Sequence, residues 1–210
     1  MVFSSILFLS FFLPVVFLGL LFTWKTRRNE WLLLCSLCFY FWGAPLFVLV
    51  LIGSTVFDYW IARQFLTAST TPQIRKRALA LGIIVNLLLL AYFKYANFFA
   101  ENLDAILFMT IRQSFSWVEV ALPLGISFFT FQKISFLVDI YAKPREENLR
   151  FRDYLLFVSL FPQLIAGPIL QYHQIEKDLL KVKKQKLTHI EQGLSRFIFG
   201  LSKKVLIADT

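Results

Sequence analysis

Residues 31–62 read WLLLCSLCFYFWGAPLFVLVLIGSTVFDYWIA, and the first charged side chain in them is Asp58. Such a long uncharged run is typical of chain that crosses a lipid bilayer, because a helix needs about 20 mostly apolar residues to span the hydrocarbon. Gly43-Ala44-Pro45 interrupts the run, and proline breaks a helix anywhere beyond its first turn. The run therefore predicts two helices, 31–42 and 45–62.

The rest of the chain has the same character. Of 210 residues, 58% are hydrophobic, 18% aromatic and only 17% charged, and the mean hydropathy is +0.65. An average soluble domain has about a quarter of its residues charged. This composition argues against a disordered chain, a disulfide-rich secreted domain and an ordinary cytosolic enzyme. We predict an all-α, polytopic transmembrane helical protein, with 1–210 forming a single integral-membrane domain.

Uncharged or nearly uncharged stretches define the other predicted spans. The first stretch, residues 2–24, lacks the basic start and the Ala-x-Ala-like cleavage site of a signal peptide. It is therefore predicted to remain as an uncleaved span. The apolar stretch 78–99 is followed by residues 100–120, which contain one cation and three acids. We place this segment outside the cell. The predicted spans are 2–24, 31–42, 45–62, 78–99 and 121–141.

Charge placement predicts the orientation. The chain carries 22 Lys and Arg against 13 Asp and Glu, a net charge of +9. Most of these cations fall into short clusters between the apolar stretches, which is typical of cytoplasmic loops rather than of a nucleic-acid interface. The N-terminus is then predicted outside, with no nucleic acid among the partners. The clusters lie within 25–28, 63–77, 143–152 and 177–186.

The stretch 154–175 is uncharged, but both of its flanks are basic. Twenty-two residues cannot cross a bilayer twice, and Pro162, Gly167 and Pro168 interrupt the run. Irregular backbone at membrane depth is tolerated only against protein or a water-filled cavity. We predict a re-entrant hairpin that lines a cavity open to the cytoplasm; the alternative is a tilted single span with a proline kink.

Polar residues recur along the predicted span 121–141. Gly125, Gln132, Ser135 and Asp139 fall on one stripe at helical spacing, with Lys133 about 100° away from Gln132. Ionisable groups inside a membrane usually face a bundle interior or an aqueous cavity. The stripe predicts either a polar wall of a reaction chamber or hydrogen bonds between helices. For Lys133 and Asp139 the second alternative is favoured.

The cysteines and histidines give little indication of a catalytic or metal site. Cys35 and Cys38 form a C-x-x-C within an apolar helix and are interpreted as small hydrophobes, and no metal site is predicted. His189 begins an amphipathic helix, 189–208, and is interpreted as solvated. His173 is a candidate general base, although the neighbouring sequence offers it no acidic partner. The residues themselves therefore predict no reaction.

Four motifs resemble the membrane-bound O-acyltransferase (MBOAT) family, most closely its alginate O-acetyltransferase branch. They are FKYANFF at 93–99, LPLGISFFTFQ at 122–132, FPQLIAGPI at 161–169 and GLSKKVLIAD at 200–209. The resemblance implies a ring of helices, of which this chain forms the N-terminal half. It also implies transfer of an acetyl or other acyl group to a hydroxyl of an exported polysaccharide such as alginate. The donor would be acetyl-CoA or another acyl thioester, with no resident cofactor.

The resemblance further implies a bacterial cytoplasmic (inner) membrane and partner proteins of a secretion complex. Its catalytic histidine is expected beyond residue 210, so no catalytic residue is assigned and this chain is expected to be inactive alone. The candidate chamber-lining or motif residues are Gln132, Ser135, Gln163, Gly167, Pro168 and His173. Two other functions stay open: a transporter or flippase module, and a non-catalytic membrane scaffold of a polysaccharide secretion complex.

Overall fold

A computed structural model describes residues 5–23, 27–67, 69–111, 119–143, 149–164, 167, 170–175 and 187–208. These residues contain helices and no strand, so the predicted all-α class is confirmed. A π-helical turn at Phe8–Phe12 leads into the first helix, and another at Lys204–Ala208 follows the last one. The helices are α1 (Leu13–Phe22), α2 (Arg28–Gly43), α3 (Phe47–Phe65), α4 (Pro72–Ile111), α5 (Ile126–Ala142), α6 (Phe151–Ser159), α7 (Phe161–Leu164) and α8 (Leu187–Lys203).

Helices α2 and α3 are separate, with the break at the Gly43-Ala44-Pro45 sequence. Ala44 has φ −156° and ψ 71°, outside the helical region. Its backbone N–H still donates to the carbonyl of Tyr40 at 2.8 Å and so closes the last turn of α2. Because α2 has 16 residues, it is about 24 Å long. It is therefore shorter than the hydrocarbon of an ordinary bilayer, which is about 30 Å thick.

Helix α4 is much longer than its predicted span, 78–99. It has 40 residues and is about 60 Å long. It begins at Pro72, a residue suited to a first helical turn because its missing N–H has no helical partner there. The predicted outer segment from residue 100 is therefore helical as far as Ile111. The acids Glu101 and Asp104 do not interrupt it, because neither Gly nor Pro occurs between residues 100 and 111.

The outer face of α4 supports the membrane assignment. Within the described residues, Pro72–Ile106 alone is long and apolar enough to cross a membrane, with a mean hydropathy of 1.9 in its most apolar window. Only 17% of that window is buried against the protein. A helix whose apolar side chains face outward is stable against lipid rather than water. The exposed stripe comprises Leu81, Ile84, Leu88, Tyr92, Tyr95 and Phe99.

Several contacts bring the cationic segments together at one end of the bundle. The guanidinium of Arg152, at the start of α6, donates to the carboxylate of Glu30 at the start of α2. Arg75, near the start of α4, donates to the carbonyl of Tyr141 near the end of α5. Cluster residues from 25–28, 63–77 and 143–152 thus share what we call the cationic end, whereas 177–186 lies outside the described residues.

The start of α5 lies at the opposite end of the bundle. Asn97 of α4 donates to the carbonyl of Val120 and accepts from its N–H, both at 2.9 Å. Gly125 follows in the left-handed conformation, with φ 71°, and α5 begins at Ile126. The predicted start at residue 121 is therefore wrong. Gly125 is a turn residue and does not belong to the helical stripe, because Pro123 and the left-handed backbone stop the helix there.

Residues 149–175, which we call the hairpin segment, enter and leave the bundle at the same end. Helix α6 begins beside α3, where the hydroxyl of Tyr59 donates to the carbonyl of Leu149 at 2.8 Å. The segment then reaches the far end, since a Cβ built on Gly125 would lie 2.6 Å from the carbonyl oxygen of Leu164. It returns to the cationic end, where His173 contacts Asp139. The described parts of the segment thus contact both ends of the bundle, and the re-entrant hairpin over 154–175 stays a prediction.

The helical part of the hairpin segment is broken where its sequence predicts. Helix α6 ends at Ser159, and Leu160 has φ −55° and ψ 111°. Pro162 lies in the first turn of the four-residue helix α7, the position where proline is tolerated. The break is held by a hydrogen bond from the N–H of Phe161 to Ser36 Oγ at 3.2 Å. The irregular backbone is thus satisfied by protein, as a location inside a membrane requires.

An aromatic cluster fixes the same break against α2 and the N-terminal helix. The ring of Phe161 lies 5.3 Å from that of Phe12, 5.8 Å from that of Phe39 and 6.2 Å from that of Phe8. The pairs with Phe12 and Phe8 are edge-to-face and that with Phe39 is tilted, and aromatic pairs at these separations each add about 0.5–1.5 kcal/mol beyond area burial. The cluster therefore anchors the hairpin segment to helices that precede it by more than 100 residues.

Helix α8 and its π-helical extension form the predicted amphipathic helix over 189–208. Large apolar side chains on α8 are exposed, between 39% for Phe197 and 71% for Phe199. The polar residues Glu191, Ser195 and Arg196 interleave with them. The side chain of His189 lies outside the described residues.

Candidate functional site

The candidate site is the hairpin segment and the face of α5 against which it packs. Gln132 is buried, with 1% exposure, and its Oε1 accepts no hydrogen bond from the described residues. Ser135, one turn further along α5, is only half buried. Gln163 is also buried, on α7. The structure thus places two of the predicted chamber residues in the protein interior and one closer to the surface.

Gly167 lies where a side chain cannot fit. A Cβ built on it would lie 2.5 Å from Cα of Gln163, and its N–H donates to the carbonyl of Gln163 at 3.1 Å. Any side chain at position 167 would therefore clash with the backbone of Gln163. Pro168, the other predicted residue of this motif, lies outside the described residues.

His173 is paired with Asp139 at the cationic end. The ring Nδ1 lies 3.1 Å from Oδ2 and 3.2 Å from Oδ1 of Asp139. The backbone N–H of His173 donates to the same Oδ2 at 3.1 Å. The acidic partner that the neighbouring sequence did not offer is thus supplied by Asp139, 34 positions earlier in the chain. Asp139 forms the contact between segments that the stripe on α5 predicted for it.

A second polar group lies deeper in the bundle and centres on Asp58 of α3. Its Oδ2 is 3.5 Å from Nζ of Lys133 on α5, and both side chains have 0% exposure. Its Oδ1 accepts from Nδ2 of Asn86 on α4 at 2.7 Å, and the hydroxyl of Tyr154 on α6 lies 3.4 Å from Oδ2. We call these four residues the Asp58 network. It links α3, α4, α5 and the first helix of the hairpin segment.

The Asp58 network is suited to holding helices together rather than to covalent chemistry. Nζ of Lys133 makes no hydrogen bond to the described residues beyond its ion pair, and its other near contact is the Phe129 ring, 5.6 Å from the ring centroid. A buried ion pair is retained only when the geometry and extra hydrogen bonds offset its desolvation. Asp58 and Asn86 were not among the predicted site residues. The sequence signal for Asp58 is its position as the first charged residue after 27 uncharged ones.

The remaining features offer less chemistry. Cys35 and Cys38 are free thiols, the first buried and the second exposed. Among the described residues no group of three or more His, Cys, Asp or Glu could hold a metal ion. A cavity of about 300 Å³ lies between α3 and α4. Its walls are almost wholly apolar, and they comprise Leu49, Val50, Gly53, Ser54, Phe57, Val85, Asn86 and Leu89.

The chain is similar over its whole length to bacterial O-acetyltransferases. It is 41% identical to the protein named "Probable alginate O-acetylase AlgI" of Pseudomonas aeruginosa and covers 40% of it. It is 40% identical to the protein of the same name from Azotobacter vinelandii and covers 42% of that one. It is also 39% identical to the "Peptidoglycan O-acetyltransferase" of Helicobacter pylori, of which it covers 45%. The chain therefore spans about two-fifths of the length of these relatives.

These similarities confirm the resemblance to the alginate O-acetyltransferase branch of the MBOAT family. No family model matches the chain. No solved structure matches it either.

Proposed function

We propose, on the premise of that similarity, that this chain forms the N-terminal part of a membrane-bound O-acyltransferase. In this proposal an acetyl group passes from a thioester such as acetyl-CoA to a hydroxyl of an exported polysaccharide. The identity of 41% and 40% to two alginate O-acetylases, along the whole of this chain, carries the proposal. The hairpin segment supports the proposal. Irregular backbone inside a membrane lies against protein or a water-filled cavity, and such a cavity could admit both the donor and the acceptor.

Alginate is the first candidate acceptor and peptidoglycan the second, each after the printed name of a relative. We place the protein in the bacterial inner membrane, with proteins of a secretion complex as partners. The chain is expected to be inactive alone, because the resemblance puts the catalytic histidine outside it. The transporter and scaffold alternatives find no support among the relatives.

A chimera tests the proposal. In Pseudomonas aeruginosa cells that lack their own alginate O-acetylase, the aligned region of that relative is replaced by residues 1–210 of this chain. We expect the chimera to restore O-acetyl groups on secreted alginate, measured by mass spectrometry, because the two segments are 41% identical throughout. Peptidoglycan from the same cells is analysed in parallel, so that acetylation there identifies the second acceptor. A chimera that inserts in the membrane but acetylates neither polymer would contradict the proposal.

Cysteine labelling tests the orientation. In a Cys35→Ala/Cys38→Ala background, single cysteines replace Lys76 at the cationic end and Asn102 near the end of α4. Both positions are exposed. An impermeant maleimide should label the Asn102→Cys variant on intact cells, and the Lys76→Cys variant only after permeabilisation, because cationic loops stay in the cytoplasm. The reverse pattern would place the N-terminus inside.

A further inference from the structure

We propose that the cavity between α3 and α4 binds one acyl chain of a bilayer phospholipid. The site requires only that the bundle lies in a lipid bilayer, whatever reaction the protein catalyses. The shape of the cavity, its depth in the bundle and the surface onto which it opens carry the assignment.

Helices α3 and α4 touch on both sides of the cavity and part between these contacts. Toward the cationic end, Nδ2 of Asn86 on α4 donates to Oδ1 of Asp58 on α3 at 2.7 Å. Toward the far end, the rings of Phe47 and Phe93 meet edge to face, with their centroids 5.8 Å apart. The space of about 300 Å³ between these contacts is therefore bounded along the helix axes, and a ligand must enter it from the side.

The cavity lies near the middle of the membrane. Its α4 wall runs from Val85 to Leu89. Arg75, at the cationic end, precedes this wall by ten residues, and Asn97, at the far end, follows it by eight. At 1.5 Å per residue, these separations are about 15 Å and about 12 Å. Because half of the hydrocarbon layer is about 15 Å thick, the cavity lies at the level where the acyl chains of the two leaflets meet.

The cavity opens onto the lipid-facing side of the bundle. Leu49, on its α3 wall, is 72% exposed. Gly53 on the same wall is also exposed, and a Cβ built on it meets nothing within 4 Å. On α4, Leu88 lies between the wall residues and is 63% exposed. Since Leu88 belongs to the exposed stripe of α4, the opening is continuous with the surface that faces lipid.

The chemistry of the walls suits a hydrocarbon chain rather than a lipid headgroup. Two of the eight lining residues have polar side chains, and both use their donors within the protein. Ser54 Oγ donates to the carbonyl of Leu51 at 3.2 Å, and Nδ2 of Asn86 donates to Asp58 and to the carbonyl of Gly82. A phosphate would find no available donor on these side chains. An acyl chain needs none, and it restores the dispersion contacts that lining atoms lose beside a void.

Photo-crosslinking in nanodiscs tests the site. The chain is reconstituted in phosphatidylethanolamine and phosphatidylglycerol, with a trace of phosphatidylglycerol that carries a diazirine at the methyl end of one acyl chain. After irradiation, mass spectrometry locates the labelled residues. Labelling of Val85 and Leu89 should exceed that of Leu81, on the exposed stripe, by about threefold or more, because a pocket surrounds most of a ligand and a helix face touches one side of it.

Filling the cavity should remove this preference. Gly53→Leu places a side chain at the opening and should lower the labelling of Val85 and Leu89 by about tenfold, because a close-packed site admits no second group. The labelling of Leu81 should not change. Gly193→Leu is the matched control: an added Cβ at Gly193 on α8 also meets nothing within 4 Å, but this residue does not line the cavity.

A second filling variant acts from the opposite wall. Val85→Phe should lower the labelling of Leu89 as Gly53→Leu does, so the test remains decisive if one of the two variants does not fold. Equal labelling of Leu89 and Leu81 in the wild type overturns the inference. Labelling of Leu89 that neither filling variant reduces also overturns it.

The same experiment on the Pseudomonas aeruginosa chimera distinguishes lipid from protein as the occupant. Labelling of Val85 and Leu89 should persist in the chimera. If these residues are labelled in the chain by itself but not in the chimera, a segment of the longer protein fills the cavity, and the lipid assignment is wrong. None of these outcomes depends on acetyl transfer, so the proposed function is tested separately.

Discussion

Asp58→Ala should lower the free energy of unfolding by about 3–5 kcal/mol, the cost typical of breaking a buried ion pair from one side. The variant leaves the Lys133 ammonium with 0% exposure and without its counter-ion, and it removes the acceptor of Asn86 and Tyr154. Unfolding of the purified protein in detergent, followed by tryptophan fluorescence against increasing denaturant, measures the change. The loss should be large enough to reduce the amount of folded protein recovered from membranes.

Two control variants test whether the expected loss of stability comes from the unpaired buried charge. In Asp58→Leu/Lys133→Met neither charge remains, so most of the lost stability should return, since apolar pairs of similar volume replace buried ion pairs with little cost. Glu30→Ala breaks the ion pair with Arg152, whose side chains are 46% and 47% exposed. Exposed pairs contribute about 0–1 kcal/mol, so this variant should be nearly neutral. Equal losses for Asp58→Ala and Glu30→Ala would show that the buried Asp58 network stabilises the fold no more than an exposed ion pair does.

Gly125→Val should displace the hairpin segment from the start of α5. Gly125 has φ 71°, which costs an L-residue about 1 kcal/mol or more, and its Cβ would lie 2.6 Å from the backbone oxygen of Leu164. A backbone atom cannot rotate away as a side chain can, so α7 must move. We expect a loss of stability of about 2–4 kcal/mol from strain and overpacking. We also expect faster proteolysis within 149–175, followed by mass spectrometry.

Gly53→Ala is the matched control for this substitution. Gly53 lies in α3, and a Cβ built on it meets nothing within 4 Å. Replacing a helical glycine by alanine should stabilise the protein by about 0.5–1 kcal/mol. If both glycine variants are equally stable and equally resistant to protease, the contact between Gly125 and Leu164 does not hold the hairpin segment.

Features encoded by local pattern were predictable from the sequence. The break at Gly43-Ala44-Pro45 follows from proline geometry, and the amphipathic character of α8 follows from the spacing of its apolar residues. Charge placement alone predicted that the cationic clusters share one end of the bundle. A chain that crosses the hydrocarbon an even number of times between two clusters returns to the same side. The re-entrant path of 154–175 rests on the same charge argument and stays a prediction.

Features that depend on pairing between distant segments were not predictable. Asp58 and Lys133 are 75 positions apart, and Asp139 and His173 are 34 apart. No periodicity relates such residues, so their partners emerge only when the helices pack. The predicted span 78–99 is shorter than α4 for another reason. Hydropathy indicates which residues lie in the apolar layer, but a helix can continue beyond that layer until a residue breaks its backbone pattern.

The hairpin segment also constrains how the protein is made. With nine residues, α6 is about 14 Å long, too short to be inserted by the translocation machinery as an independent segment. Its backbone break depends on Ser36, 125 residues earlier, and its tip lies against Gly125. Docking of this part therefore needs α2 and α5 as partners, and both of these helices precede it in the chain.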